Sequence, residues 1–219
     1  EAAAPPPRQI TQGNILATFQ EAAGLQGAGR YAEAAALWDA IAAAAPASAE
    51  AFANLAACRL EQAQTDEAEA ALRRVLALAP EAPWAQRLLG RWLFAVGRWT
   101  EAEAPFRAAL AARPADAALQ VEFAKLLLGL GRYAEGWPLY EARVDAPGQN
   151  AERLPLPNRW AGEPLAGKSL LIWPEQGVGD QMQFARFAPR LAAQGARVTM
   201  VAPPELSALF QTLDGVEVV

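Results

Sequence analysis

The sequence predicts a mainly α-helical fold, an α-solenoid of four helical hairpins, followed by a partial α/β segment. Three observations support this prediction: a period of 34 residues, helical spacing of apolar residues within each copy, and a strand–helix alternation after the repeats. The prolines that close three copies, Pro46, Pro80 and Pro114, recur at that period. One hairpin of this size cannot bury its apolar face alone, so the copies are expected to stack.

Composition and charge restrict the function classes of the 219 residues. The formal charge is −5 and no basic tract occurs, which argues against a nucleic-acid partner. The single cysteine, Cys58, excludes an internal disulfide and favours a reducing, cytoplasmic location. Histidine is absent, which excludes Ser-His-Asp and Cys-His catalysis and disfavours a zinc site. No apolar run is long enough to span a bilayer.

The repeats can be placed along the chain from their register. Residues 1–14, with Pro5, Pro6 and Pro7, are expected to be a flexible segment of a longer, trimmed protein. The repeat region is predicted over 15–148, with hairpins at 15–48, 49–82, 83–116 and 117–145. After it come a linker at 149–167, rich in proline and glycine, and an α/β segment at 168–219.

Each copy carries the same pattern of small and large side chains. A small residue in the second helix allows close helix packing, and a large one four positions later fills the next layer. A glycine before the second helix suits a left-handed turn. Pro105 lies inside a second helix and is expected to bend it. The small residues are Ala34, Ala68, Ala102 and Gly136; the large ones are Trp38, Leu72, Phe106 and Tyr140; the glycine register is Gly29, Ala63, Gly97 and Gly131.

This spacing and signature resemble the tetratricopeptide repeat family over residues 15–145. The resemblance implies that the first helix of each hairpin lines a concave groove that binds a protein or peptide partner. Arg87, Arg91 and Lys125, with Trp84 and Phe94 beside them, would suit an acidic or carboxylate-ended peptide. An ordinary solvated surface is the equally weighted alternative. The full set of groove positions is Phe19, Gln26, Ala53, Ala57, Glu61, Trp84, Arg87, Arg91, Phe94, Val121, Lys125 and Leu128.

The second segment reads as strand, helix, strand, helix, strand, which is typical of a parallel, Rossmann-like sheet. One helix is predicted from the Gly-Asp loop to Gly195, and another from Pro204 to Leu213. Three strands leave open sheet edges, so the sequence is expected to be a fragment. A P-loop match at 162–169 is rejected because it precedes a strand. A dinucleotide fingerprint is rejected because Met182 occupies the third glycine position.

The loop after the first strand is the remaining candidate site. It lies at a strand's carboxyl end and at a helix N-terminus. Asp180 is also a candidate N-cap, with Gln183 completing a capping box.

Residues 160–172 and 175–186 resemble the glycosyltransferase-like domain that follows tetratricopeptide repeats in many bacterial proteins, similar to heptosyltransferases of the GT-B type. The resemblance implies that Asp180 is the general base toward an acceptor hydroxyl and that a nucleotide sugar is the donor of the full-length protein. No cofactor is expected in this fragment, and the fragment alone is expected to be inactive. A non-catalytic scaffold is the alternative. The expected acceptor-loop residues are Glu175, Gln176, Gly177, Gly179 and Gln183.

Overall fold

The structure is a computed structural model, and it describes residues 10–11, 13–146, 159–175 and 177–219. The chain divides into two compact units, Glu1–Ala142 and Arg143–Val219. Most of the flexible segment predicted at 1–14, and much of the linker predicted at 149–167, lie outside the described residues.

The first unit is a stack of antiparallel helical hairpins, which confirms the mainly helical prediction. Each second helix packs on its own first helix and on the first helix of the next hairpin. The hairpins are α1 (Ile15–Gly27) with α2 (Tyr31–Ala44), α3 (Ala49–Glu61) with α4 (Thr65–Leu78), α5 (Pro83–Ala95) with α6 (Trp99–Ala112), and α7 (Ala117–Gly129) with α8 (Tyr133–Tyr140). A 3₁₀ helix, Glu141–Val144, follows α8.

The turns within the hairpins explain the glycine register. Gly29, Gly97 and Gly131 have φ angles of 74°, 79° and 76°, in the left-handed region where glycine has no steric penalty. Ala63 takes the same register with a φ of 58°, so the second hairpin makes the turn with a residue that disfavours it. The turn geometry therefore follows the repeat and not the local residue.

The core of the first unit follows the predicted alternation of small and large residues. Ala34, Ala68 and Ala102 are fully buried, and Trp38 and Phe106 are buried with them. In the fourth copy, a Cβ at Gly136 would come within 2.8 Å of the Leu128 side chain, so only glycine fits there. Helix α6 continues through Pro105, which is buried inside it.

The second unit contains a parallel sheet of three strands in the order β1–β2–β3. Its elements are β1 (Ser169–Ile172), α9 (Val178–Ala185), α10 (Ala188–Ala193), β2 (Arg197–Met200), α11 (Pro204–Phe210) and β3 (Val216–Val218). The register aligns Leu170 with Val198 and Val198 with Val216. A small parallel sheet is therefore observed, while its Rossmann-like identity stays a prediction.

Two details of the second unit differ from the prediction. The helix expected up to Gly195 is divided into α9 and α10, because Pro189 in the first turn of α10 cannot donate an amide and its ring crowds the preceding turn. Helix α11 ends at Phe210, three residues before Leu213.

The two faces of the sheet differ in how far other residues pack on them. The face with Val198 and Met200 packs into a core with Ala188, Leu206 and Phe210. The opposite face carries Leu171, Thr199 and Glu217 side by side. Leu171 is 42% exposed. Among the described residues, this second face is therefore open at Leu171 and Glu217.

Candidate binding face

The outward side chains of the first helices form one surface of the first unit. Helix α3 contacts α5 and α5 contacts α7, so these helices lie next to one another in the stack. We call this surface the A-helix face. It consists of Phe19 on α1, Ala53, Ala57 and Glu61 on α3, Trp84, Arg87, Arg91 and Phe94 on α5, and Glu122 and Lys125 on α7.

Arg87 is held by carboxylates of the following hairpin. Its Nε and Nη2 donate to the two carboxylate oxygens of Glu122 at 2.7 and 2.9 Å. Its Nη1 lies 3.5 Å from Oδ2 of Asp116. The hydrogen bond to Glu122 is the largest cause that raises the pKa of Arg87. All three nitrogens of this guanidinium therefore face acidic groups of the same chain.

Arg91 connects three hairpins. Its Nη2 donates to Oε1 of Glu61 on the preceding first helix, and its Nε lies 3.7 Å from Oε1 of Glu122 on the following one. Arg87 and Arg91 therefore share Glu122 between them. The two arginines therefore join α3, α5 and α7 to one another, and their binding of an acidic ligand stays a prediction.

Two other predicted groove positions, Val121 and Lys125, differ in their exposure. Val121 is 2% exposed, so it is buried and not open to a partner. Lys125 is exposed, and among the described residues it has no carboxylate within 4.0 Å. Lys125 is therefore the cation on this face that is available to a partner.

Phe19, Trp84 and Phe94 are half-buried, and the two phenylalanines contact neighbouring rings. Phe94 stacks on Trp99, with ring centroids 5.7 Å apart. Phe19 meets Trp38 edge to face at 4.6 Å, and the indole of Trp38 donates to Gln26 Oε1 at 2.9 Å. These contacts fix the aromatic rings before any partner arrives.

Cys58 lies beneath this face and is buried. Burial, with a further contribution from the charge of Glu61, raises the pKa of the Cys58 thiol to about 11. The thiol therefore stays protonated at neutral pH, and it is not an activated nucleophile.

Sequence reasoning missed Asp116 and the role of Glu122. Asp116 caps α7, since its Oδ1 accepts from the amide of Leu119 at 3.0 Å, and it also approaches Arg87. The 34-residue period gave a signal for this ion pair. Glu122 lies one period after the residue that directly follows Arg87 in the sequence.

A second recurring signal was also missed. The Arg after each turn glycine pairs with the Glu three residues later, in Arg30–Glu33, Arg98–Glu101 and Arg132–Glu135.

The loop after β1 is arranged differently from the capping-box prediction. Gly177 is the N-cap of α9, and no side chain caps the helix. Asp180 is exposed in the first turn, where the helix dipole favours a negative charge. Glu175 accepts two hydrogen bonds from Arg143, at 2.5 and 2.8 Å. Gly179 and Gln183 are exposed on α9, and Gln176 lies outside the described residues.

Neither a metal centre nor a membrane span is found in the part of the chain that the structure describes. No cluster of three metal-ligating side chains occurs there. No helix there combines the length and the apolar character needed to cross a bilayer. The segment 162–169 leads into β1 and not from a strand into a helix, which is the wrong context for a phosphate-binding loop.

A family model described as tetratricopeptide repeat matches residues 25–91. The protein FlbA of Caulobacter vibrioides is 44% identical over 55 residues, which are 25% of this chain and only 9% of that protein.

Solved structures share the fold of the first unit. A crystal structure of TTC0263, a thermophilic TPR protein of Thermus thermophilus, aligns with a TM-score of 0.56 at 17% identity, covering 62% of this chain and 76% of that one. MamA (41-end) from Desulfovibrio magneticus RS-1 aligns with a TM-score of 0.51 at 18% identity, covering 59% and 73%. At these identities the likeness concerns the fold alone. The family model therefore supports tetratricopeptide repeats over residues 25–91, and the solved structures support the helical fold of the first unit.

Proposed function

We propose that the first unit is a protein-interaction module that binds a protein or peptide partner on the A-helix face. One observation carries this proposal: helices from three successive hairpins present a continuous, partly exposed surface. Ion pairs from Arg87 and Arg91 hold those helices in register. Such a surface is already ordered, so a partner would lose little binding free energy to rearrangement of the helices.

Site-specific photocrosslinking tests this proposal. A p-benzoylphenylalanine at Ala57 lies on the A-helix face, while the same residue at the exposed Ala70 of α4 lies on a second helix. Illumination in cells of the source organism should give a discrete adduct from position 57 and none from position 70. Mass spectrometry then identifies the adduct. Equal labelling from both positions would show that the A-helix face is not the binding surface.

A second candidate function concerns the second unit. We propose that the natural protein transfers a sugar from a nucleotide-sugar donor to an acceptor held by the first unit, with Asp180 as the general base. The supporting observation is that Asp180 is exposed in the first turn of α9, directly after β1 in a parallel sheet. An exposed carboxylate can approach an acceptor hydroxyl, provided a donor site is present.

Calorimetry and a transfer assay on the full-length protein distinguish this candidate from a non-catalytic scaffold. Nucleotide-sugar binding is expected to persist in Asp180→Asn, while transfer is lost because the base is gone. If the unmodified full-length protein does not bind a nucleotide sugar, the non-catalytic scaffold is the function that remains. The cytoplasmic location expected from the single cysteine stays a prediction.

A further inference from the structure

The charges of the A-helix face are largely satisfied within the chain. The guanidinium of Arg87 is surrounded by Glu122 and Asp116, and Arg91 is shared by Glu61 and Glu122. A carboxylate of a partner would have to displace one of these acids while lying beside the other two. Like-charge repulsion and the loss of existing hydrogen bonds both oppose this exchange.

Glu61 differs from the other acids of the face because it is more open to solvent. Its side chain is 42% exposed, against 26% for Glu122 and 22% for Asp116. Arg91 donates to its Oε1, and among the described residues nothing is recorded as donating to its Oε2. Glu61 therefore offers an acceptor oxygen to an incoming donor.

The residues that precede Glu61 on the same side of α3 are small and apolar. Ala57 and Ala53 lie one and two helical turns before Glu61 on α3, and both are half-buried against the core. Small side chains in this row leave room for an aliphatic chain to lie along the helix. A lysine or arginine buries its methylene stem on apolar surface while its charged head reaches a polar group.

We infer that the partner segment carries an arginine or lysine whose stem lies along Ala53 and Ala57 and whose charged group binds Glu61. This inference rests on the proposed function and names the chemistry of its partner. It replaces the acidic ligand that the arginines suggested in the sequence. The sequence of the first unit contains sixteen acidic and twelve basic residues, which also favours a basic partner. Lys125 is on α7, separated from α3 by α5, so it does not occupy this position.

Selection from a random peptide library displayed on phage tests the inference. The intact chain and its Glu61→Gln variant are immobilised, and enriched peptides are sequenced and measured by fluorescence anisotropy. Enriched peptides are expected to carry net positive charge, and the best of them should bind Glu61→Gln about tenfold more weakly because one charge-assisted hydrogen bond is lost. Glutamine preserves the size of Glu61, and circular dichroism checks that the variant is folded.

Glu33→Gln provides the matched control. Glu33 also pairs with an arginine, Arg30, but it lies on the second helix α2 and is 57% exposed. Affinity for the selected peptides should be unchanged in this variant. An equal loss in both variants would mean that only the net charge of the chain matters, which overturns the inference.

The remaining outcomes separate the inference from the proposed function. Enrichment of acidic peptides whose binding is lost in Lys125→Gln would overturn the basic partner and keep the A-helix face as the binding surface. Failure to enrich any peptide, together with absence of the position-57 adduct, would overturn both.

Discussion

The two units bury their apolar residues to different extents. In the first unit each helix of the described hairpins packs on the preceding or following helix, so the core continues from Ala22 to Leu127. In the second unit one sheet face has a small core, and the other leaves Leu171 open. Of the fourteen large hydrophobic residues described as exposed, nine lie in the second unit, including Phe184 at 57% and Phe187 at 45%.

This difference follows from architecture. A solenoid covers itself, because every hairpin after the first packs on the one before it. A parallel sheet requires cover on both faces, and three strands with their connecting helices provide it on one. The stability of this chain should therefore depend mainly on the repeats.

Truncating the core of the stack should have the largest effect. Phe106 is 2% exposed and stacks on Phe123 with centroids 5.9 Å apart. Phe106→Ala should lower the free energy of unfolding by about 3–5 kcal/mol, because it leaves a cavity between hairpins. Urea denaturation followed by circular dichroism measures this change. Leu171→Ala on the open sheet face is the control, with an expected loss below about 1 kcal/mol. Equal losses would contradict the comparison.

Glycines in the first helices test how closely the stack is packed. A Cβ at Gly90 would lie 2.9 Å from the ring of Phe106, whereas a Cβ at Gly24 would meet nothing within 4 Å. Gly90→Ala should therefore destabilise the chain by about 1–3 kcal/mol through overpacking. Gly24→Ala should stabilise it by up to about 1 kcal/mol through helix propensity. Thermal unfolding of the two variants gives opposite shifts if the packing is as described, and shifts of the same sign if it is not.

A substitution in the turn of the second hairpin should stabilise the chain. Ala63 has a φ of 58°, where an L residue is strained. Ala63→Gly should raise the free energy of unfolding by about 0.5–1 kcal/mol, since relief of the strain exceeds the added chain entropy. In the reverse change, Gly97→Ala, the added Cβ would meet no atom within 4 Å. This variant should therefore lose about 1 kcal/mol of unfolding free energy through backbone strain alone. Chemical denaturation of both variants measures the change in the free energy of unfolding. Destabilisation by Ala63→Gly would show that the turn is not strained.

The ion pairs of the A-helix face should contribute least to stability. Arg87 and Glu122 are 28% and 26% exposed and pair through two hydrogen bonds. A double-mutant cycle with Arg87→Met and Glu122→Gln should give a coupling free energy of about 0.5–1.5 kcal/mol. The same cycle at the exposed Arg98–Glu101 pair should give less, because water competes for both groups. A larger coupling at the exposed pair would contradict the assignment of a structural role to Arg87.

Much of the repeat fold could be predicted from the sequence, because its signals are local and repeated. Pro46, Pro80 and Pro114 each follow a helix that ends two residues earlier, as a residue that cannot continue a helix should. The division of the helix after Ala185 was missed, although Pro189 gave a signal. The helical spacing of the apolar residues continues across Pro189, so the spacing alone predicts one helix where the proline favours two.

The candidate site was less predictable, because its character depends on pairs distant in sequence. Arg87 and Arg91 looked available to a ligand, and their carboxylate partners come from other hairpins at Glu61 and Glu122. Likewise, Glu175 pairs with Arg143, 32 residues away. Sequence spacing identifies which positions face outward, but it does not state which outward groups neutralise one another.

Amide hydrogen exchange of the intact chain tests the central comparison most directly. The slowest amides should lie in α3, α4, α5 and α6, inside the stack, and they should exchange together. The amides of β1, β2 and β3 should exchange sooner, because among the described residues one face of their sheet is open at Leu171 and Glu217. If the amides of β2 proved to be the slowest in the chain, the stack would not be the stable part of this protein, and the comparison would be wrong.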